Sequence, residues 1–378
     1  MTMTPRAAIN SIQSIYGFAG ALISVFIPVY LLHQQVSLRG VMVYFLLYSI
    51  VVFAGTMIAG LFSRQCNLKW VMVLGFVPQI IFLWLLAREV AVDSEMLMLL
   101  ASLQGMAAAL YWLPLHIFFA TATTSEEVGG QVGAFLAWPK FLTLFAPLLA
   151  GVLAAHAGVE MVFAVAIGFF VLSAIPLIFV PAYHAPLSFR PRKFGRYFQN
   201  YRGYFIAEIF ENIGEELDMI IWPLAVYLLF DNVLSLGLAG TLLGVGGALF
   251  TYLLGKKTNR GNMQRLLQFG AILMIFLWLA RFWTESVWMV MAVTVIVGIA
   301  ELLVRLPFNA LIYDLARESN TREFILFREI PVVIARIIVY GAGVLFAIQD
   351  VRHLFWLAIV GYAFFLLTPR LNLGHRTT

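Results

Sequence analysis

Runs of predominantly apolar residues, each about twenty long, follow one another from end to end of this 378-residue chain. That is the length a helix needs to cross the hydrocarbon of a bilayer. Open backbone polar groups are too costly in lipid, so each run is expected to be a helix and not a piece of open sheet. The runs lie near 9–32, 38–62, 70–87, 96–118, 129–154, 160–181, 203–230, 235–255, 264–283, 286–312, 324–347 and 352–368. The first opens a long series of similar ones and has no small-residue cleavage site behind it, so it reads as a span and not as a removed leader. A soluble fold is excluded, because hydrophobic residues make up 62% of the chain and charged residues 11%. Water leaves no way to hide that much apolar surface in a chain of this size. The expected class is an all-α integral membrane protein with twelve transmembrane helices.

The placement of charge supports the same count. With the N-terminus inside, sixteen basic residues fall in inner loops and tails, among them Arg64, Lys69, Arg190, Arg192, Lys193, Arg196, Lys256, Lys257, Arg317 and Arg322. Only Arg39, Arg88, Arg281 and Arg352 fall in outer loops. The excess of cations on the cytoplasmic side is what insertion into a membrane selects. It places both termini in the cytoplasm and the chain in the inner membrane. The net charge of +5 comes without a basic cluster suited to nucleic acid, so the expected partners are the bilayer, a small solute and protons, for a chain acting as a monomer.

Several chemistries are unsupported. One cysteine allows neither an internal disulfide nor a cysteine metal cluster. No G-x-x-x-x-G-K-[ST], H-E-x-x-H, C-x-x-C or G-x-S-x-G occurs, so no cofactor, no metal and no enzymatic activity is expected.

The chain also repeats itself. Pro28, Gly60 and Gly75 recur at one spacing as Pro223, Gly255 and Gly270. Leu113-Pro114, Pro139 and Gly151 recur, with a small slip, as Leu306-Pro307, Pro331 and Gly343. Between the two sets lies the longest polar interruption, His184 to Arg202, rich in Arg and Pro. The division this implies is a six-helix bundle over 1–182, a cytoplasmic connector over 183–202 and a second six-helix bundle over 203–378. Duplicated halves are typical of secondary transporters, whose substrate site lies where the halves meet.

In this layout, size and basic central loop the sequence resembles the major facilitator superfamily over essentially its whole length. Remnants of the family's short motifs accompany the layout. Gly60-Leu-Phe-Ser-Arg64-Gln-Cys-Asn67-Leu-Lys69 keeps the first Gly and last basic residue of G-x-x-x-D-R-x-G-R-K and lacks its Asp; Gly255-Lys-Lys-Thr-Asn259-Arg260 echoes it. Ala146-Pro147-Leu-Leu-Ala150-Gly151 is similar to a softened G-P-x-x-G-G, the run of proton-driven exporters in that family. The resemblance implies two pseudo-symmetric halves, alternating access, a slight lean to export, and a cavity lined by the first, fourth, seventh and tenth spans.

Charge inside a span is expensive and marks function by default. The seventh span carries Glu208, Glu211, Glu215, Glu216 and Asp218. Crowded carboxylates in low dielectric disfavour one another's charge, and burial does the same, so such a group can take up and release a proton near neutral pH. Glu215, Glu216 and Asp218 lie nearest mid-span. Glu208 and Glu211, nearer the inner surface, are expected to be hydrated, and pairing of the acids with Arg on neighbouring helices is the competing structural role. In the tenth span Glu301 and Arg305, four residues apart, share a face that Gly298 and Asn309 continue. The eleventh adds Arg328, Glu329 and Arg336. Lys140 in the fifth has no basic counterpart in the other half, and His116 in the fourth echoes Asn309.

These residues outline a proton-coupled carrier of a small anionic, zwitterionic or amphiphilic solute. Glu215, Glu216, Glu301 and Asp218 are the proton candidates; Lys140, Arg305, Arg336, Arg328, His116, Glu211 and Asn309 are the substrate candidates. The alternatives are an uncoupled uniporter, a lipid or lysolipid carrier, and a non-transporting receptor or assembly factor on the same scaffold.

Overall fold

A computed structural model describes residues 5–62, 66–122, 143–180, 191–254, 263–346 and 349–367. Every regular element among them is helical. Six helical stretches, Ala7–His33, Leu38–Phe62, Leu68–Ala87, Ser94–Phe118, Val159–Phe179 and Val287–Asn309, are long and apolar enough to cross a membrane, and shorter apolar helices accompany them. Exposed Ile, Leu, Phe and Trp cover the outside, as lipid permits and water does not.

In chain order the helices are α1 (Pro5–Ser24), α2 (Phe26–His33), α3 (Leu38–Phe62), α4 (Leu68–Ala87), α5 (Ser94–Ala122), α6 (Ala146–Ala157) and α7 (Val159–Ala174). From residue 191 onward come α8 (Pro191–Asn200), α9 (Arg202–Glu216), α10 (Trp222–Phe230), α11 (Val233–Leu254), α12 (Met263–Arg281), α13 (Val287–Glu318), α14 (Thr321–Leu345) and α15 (Phe355–Leu367). Side-chain caps start several: Asn67 accepts from the Lys69 N–H at 3.0 Å, Ser286 from the Met289 N–H at 3.2 Å and Asn320 from the Glu323 N–H at 3.3 Å. Each satisfies a donor that the helix cannot pair for itself.

Two breaks have one cause. Proline offers no N–H to the carbonyl four residues back and crowds it. Pro28 faces Ser24 in this way, and α1 ends at Ser24 before the chain resumes as α2. Pro223 stands in the same relation to Met219, and between α9 and α10 the helix widens into a π turn over Leu217–Ile221. Asp218 sits in that turn. Wide turns of this kind re-aim side chains and recur at functional sites.

The packing repeats as the sequence does. α1 lies on α6 and α7, α3 on α5, and α4 on α5 and α7. In the same order α9 lies on α14 and α15, α11 on α13, and α12 on α13 and α15. Contacts of α3 with α14 and of α6 with α11, and a smaller one of α5 with α14, join one set to the other. The α6–α11 contact explains the Ala146–Gly151 run: a methyl group at Gly151 would stand 3.3 Å from Gly237 Cα and 3.2 Å from the Val233 carbonyl oxygen. Small residues there let the two backbones meet. Gly298 and Gly246 do the same between α13 and α11, where a side chain on either would run into the other helix's carbonyls, at Leu243 and Val295.

Within the stretch expected as a connector, α8 places Phe194 and Tyr197 against Phe327, with ring centroids 6.1 and 5.6 Å apart, and leaves Arg196 exposed. Lys140, the first part of the fifth span and the Gly255–Asn262 motif remnant lie outside the described residues.

Candidate functional site

The five acids of the seventh span meet four arginines, each arginine reaching in from another helix. Glu208 Oε1 receives the Arg328 Nε–H of α14 at 2.7 Å. Glu216 receives the Arg336 Nε–H at 2.6 Å and, on its other oxygen, the Tyr340 hydroxyl at 2.6 Å. Asp218 pairs with Arg281 of α12 at 2.6 Å. Arg305 of α13 serves three carboxylates at once: Glu301 at 2.9 Å, Glu215 at 2.9 Å and Glu211 at 3.3 Å. The spacing of the acids follows from the helix itself, which stacks 208, 211 and 215 along one face, and the wide turn swings Asp218 towards α12.

The structure corrects two expectations. Glu208 and Glu211 are not hydrated: Glu208 is fully buried and Glu211 nearly so. The guanidinium of Arg328 supplies what water was expected to supply. Arg281 is not an outer-loop cation. It closes α12, is fully buried, and its guanidinium lies over the rings of Trp222 at 4.3 Å and Trp278 at 4.0 Å. An aromatic face accepts a cation where water is excluded. The signal was present in the sequence: Trp278 stands three residues before Arg281 and so shares its face, on a span that begins near 264.

Of the remaining candidates, Arg336 lies where α14 packs on α3. Arg336 lies over the Tyr48 ring of α3 at 5.7 Å, and Tyr340 stacks on Phe45 of α3 at 5.2 Å. His116 is half-buried, stacked on Trp112 at 5.8 Å. Asn309 is half-buried on α13. Glu329 is half-buried beside Arg328. Among the aromatic residues, Tyr16, Tyr30, Tyr111 and Trp222 are buried in packing, and Trp112 is 40% exposed.

Charge balance separates these pairs. Glu208, Glu216 and Asp218 each have an arginine of their own. Around Arg305 three carboxylates share one guanidinium, so among these four side chains the acids outnumber the cation by two. Glu215 is the most open of the three, its side chain 29% exposed against 15% for Glu301 and 8% for Glu211. Protons or a cationic group can neutralise the excess.

Residues 9–202 match the family model described as Major Facilitator Superfamily. The chain belongs to this superfamily. Its members are membrane transporters, so the family points to a small-molecule substrate and to transport, not catalysis. Among solved structures, the fold of this superfamily member matches one titled as a crystal structure of a bacterial homologue of the iron transporter ferroportin in the outward-facing state. The TM-score is 0.69 at 16% identity, over 97% of this chain and 98% of that one. At that identity the likeness is one of fold. No curated protein matches the chain.

Proposed function

We propose that this superfamily member is a proton-coupled secondary transporter that moves a small organic solute across the inner membrane by alternating access. Twelve spans form two six-helix halves, 1–182 and 203–378, that rock about a site between them. The connector 183–202 and both termini lie in the cytoplasm, and one copy suffices. The recurrence of the same helix contacts in the same order supports the two-half layout, as do the contacts joining the sets.

The observation that carries the coupling is the group of Glu211, Glu215 and Glu301 around the single guanidinium of Arg305. Coupling requires the proton and the solute to bind with different strength in the two states. Three acids on two helices that share one cation meet that requirement, because any shift of α9 against α13 changes which of them holds it. Glu215 is the principal proton carrier and Glu301 its partner. Glu216 and Asp218 anchor α9 through arginines of their own. The excess of acid favours a zwitterionic solute, its cationic group drawn to Glu211. His116, Asn309, Arg328, Arg336 and Lys140 supply the rest of the contacts. The Ala146–Gly151 run gives the lean to export.

A screen of the purified protein against metabolites, drugs and lysolipids by thermal shift across pH identifies a solute. Flux of that solute into proteoliposomes is then measured with and without an imposed pH gradient. Glu215→Gln is expected to keep solute binding and lose the response to the gradient. Flux that ignores the gradient in the parent protein and in Glu215→Gln alike would leave an uncoupled uniporter, and binding without any flux would leave a receptor.

A further inference from the structure

A cavity of about 320 Å³ opens beside the ends of α10 and α12 and the turn that precedes α15. Its polar lining is Arg281, Thr284, Gln349, Asp350 and Arg352, and its apolar wall includes Trp222, Leu228 and Leu229. It lies apart from the acids grouped around Arg305, none of which lines it.

The wall holds one incompletely used group. Arg281 spends Nη1 on Asp218 Oδ1 and its guanidinium lies over the Trp222 and Trp278 rings, yet Nε and Nη2 have no hydrogen-bond partner although the side chain is fully buried. These two nitrogens form one edge of a planar fork whose spacing matches the two oxygens of a carboxylate. Leaving buried donors unpaired is costly. Thr284, whose hydroxyl donates to the Arg281 carbonyl at 2.8 Å, fixes the backbone of this corner. On the opposite side Arg352 grips Asp350 through Nε at 2.8 Å and Nη2 at 2.7 Å.

We propose that this cavity binds small organic carboxylates, taken up bidentately by the Nε–Nη2 edge of Arg281 with the organic body against Trp222, Leu228 and Leu229. Arg281 and Arg352 are already balanced by Asp218 and Asp350, so a monoanion held by the fork adds one negative charge and a dianion, adding two, is disfavoured. The apolar wall selects an organic body over a bare inorganic ion. The edge is sealed from water in this arrangement, so entry turns one lining side chain aside. The site stands independently of the transport reading, because occupancy is measured without flux.

The test uses the purified full chain in uncharged detergent, titrated with benzoate, benzamide and inorganic phosphate by calorimetry and thermal shift. Saturable benzoate binding in the millimolar range is expected, with benzamide and phosphate at least about tenfold weaker. Arg281→Lys keeps the charge beside Asp218 but loses the fork, and weakens benzoate about tenfold. Gln349 lines the cavity from an exposed position, so its variants leave the buried pair alone: Gln349→Glu weakens benzoate by about fivefold and Gln349→Lys strengthens it. Equal binding of benzoate and benzamide, preference for phosphate, indifference to Gln349→Glu, or no saturable benzoate binding would each overturn the proposal.

Discussion

The spacing that carries Pro28 onto Pro223 also carries Tyr16 onto Glu211, and the spacing that carries Leu113 onto Leu306 carries Trp112 onto Arg305. At the first pair of positions the contact is aromatic: Tyr16 meets Trp112 edge-on at 6.1 Å, stacks on Tyr111 at 3.3 Å, and takes Phe76 and Phe170 against its edges. At the second pair it is ionic, with Glu211 against Arg305 at 3.3 Å. One scaffold position is thus held by packing in one half and by charge in the other. Packing of rings does not respond to protons; a guanidinium divided among three carboxylates does. The difference leaves the α1–α5 contact indifferent to protons and makes the α9–α13 contact responsive to them.

Substitutions test that division. The largest effect is expected from Arg305→Met, which strands Glu211, Glu215 and Glu301 together; losing one partner of a buried ionic group costs about 3–5 kcal/mol. Thermal unfolding in detergent reads it, and lowering the pH is expected to recover part of the loss by protonating the stranded acids. Recovery absent at low pH would mean the acids are not a titrating unit. Tyr16→Ala, at the matching position, removes a ring from a packed cluster and is expected to cost about 3 kcal/mol. Its loss is expected not to vary with pH, and a pH-dependent loss would erase the contrast between the halves.

Tyr111→Phe is smaller. The Tyr111 hydroxyl is buried without a hydrogen-bond partner, so removing it is expected to change stability by less than about 1 kcal/mol and to leave it equal or higher. Asp350→Asn, outside the membrane spans, is expected to be smallest. Partial burial, the largest single influence on Asp350, pushes its carboxyl upward, but hydrogen bonds from the Arg352 side chain and backbone together hold it below its ordinary value. A depressed acid contributes stability above its unfolded pKa and loses it as pH falls through the folded one. For a pair this exposed the contribution is about 0.5 kcal/mol or less, seen only in acid unfolding profiles.

Much of this was legible in the sequence. Apolar runs gave the helices because lipid leaves no alternative way to satisfy a backbone, whereas the breaks near Pro28 and Pro223 interrupt runs expected to be continuous spans. The Glu301–Arg305 pair followed from spacing along a single helix. Glu208 was misjudged because depth was inferred from its distance to a span end, while its environment is set by Arg328, a residue 120 positions away. Arg281 was misjudged for the same reason: proximity to a loop says nothing about which neighbouring helix folds over a side chain. Helical periodicity fixes faces; only tertiary packing decides what those faces meet.

The separation of these partners bears on how the protein is made. Asp218 waits 63 residues for Arg281, and Glu208 and Glu216 wait 120 for Arg328 and Arg336. When the ribosome has delivered only the seventh span, its five acids have no counter-ions, and a segment so charged partitions poorly into lipid alone. Its acids gain those partners only once α12, α13 and α14 have been made, so the charge of α9 is matched by the helices that follow it.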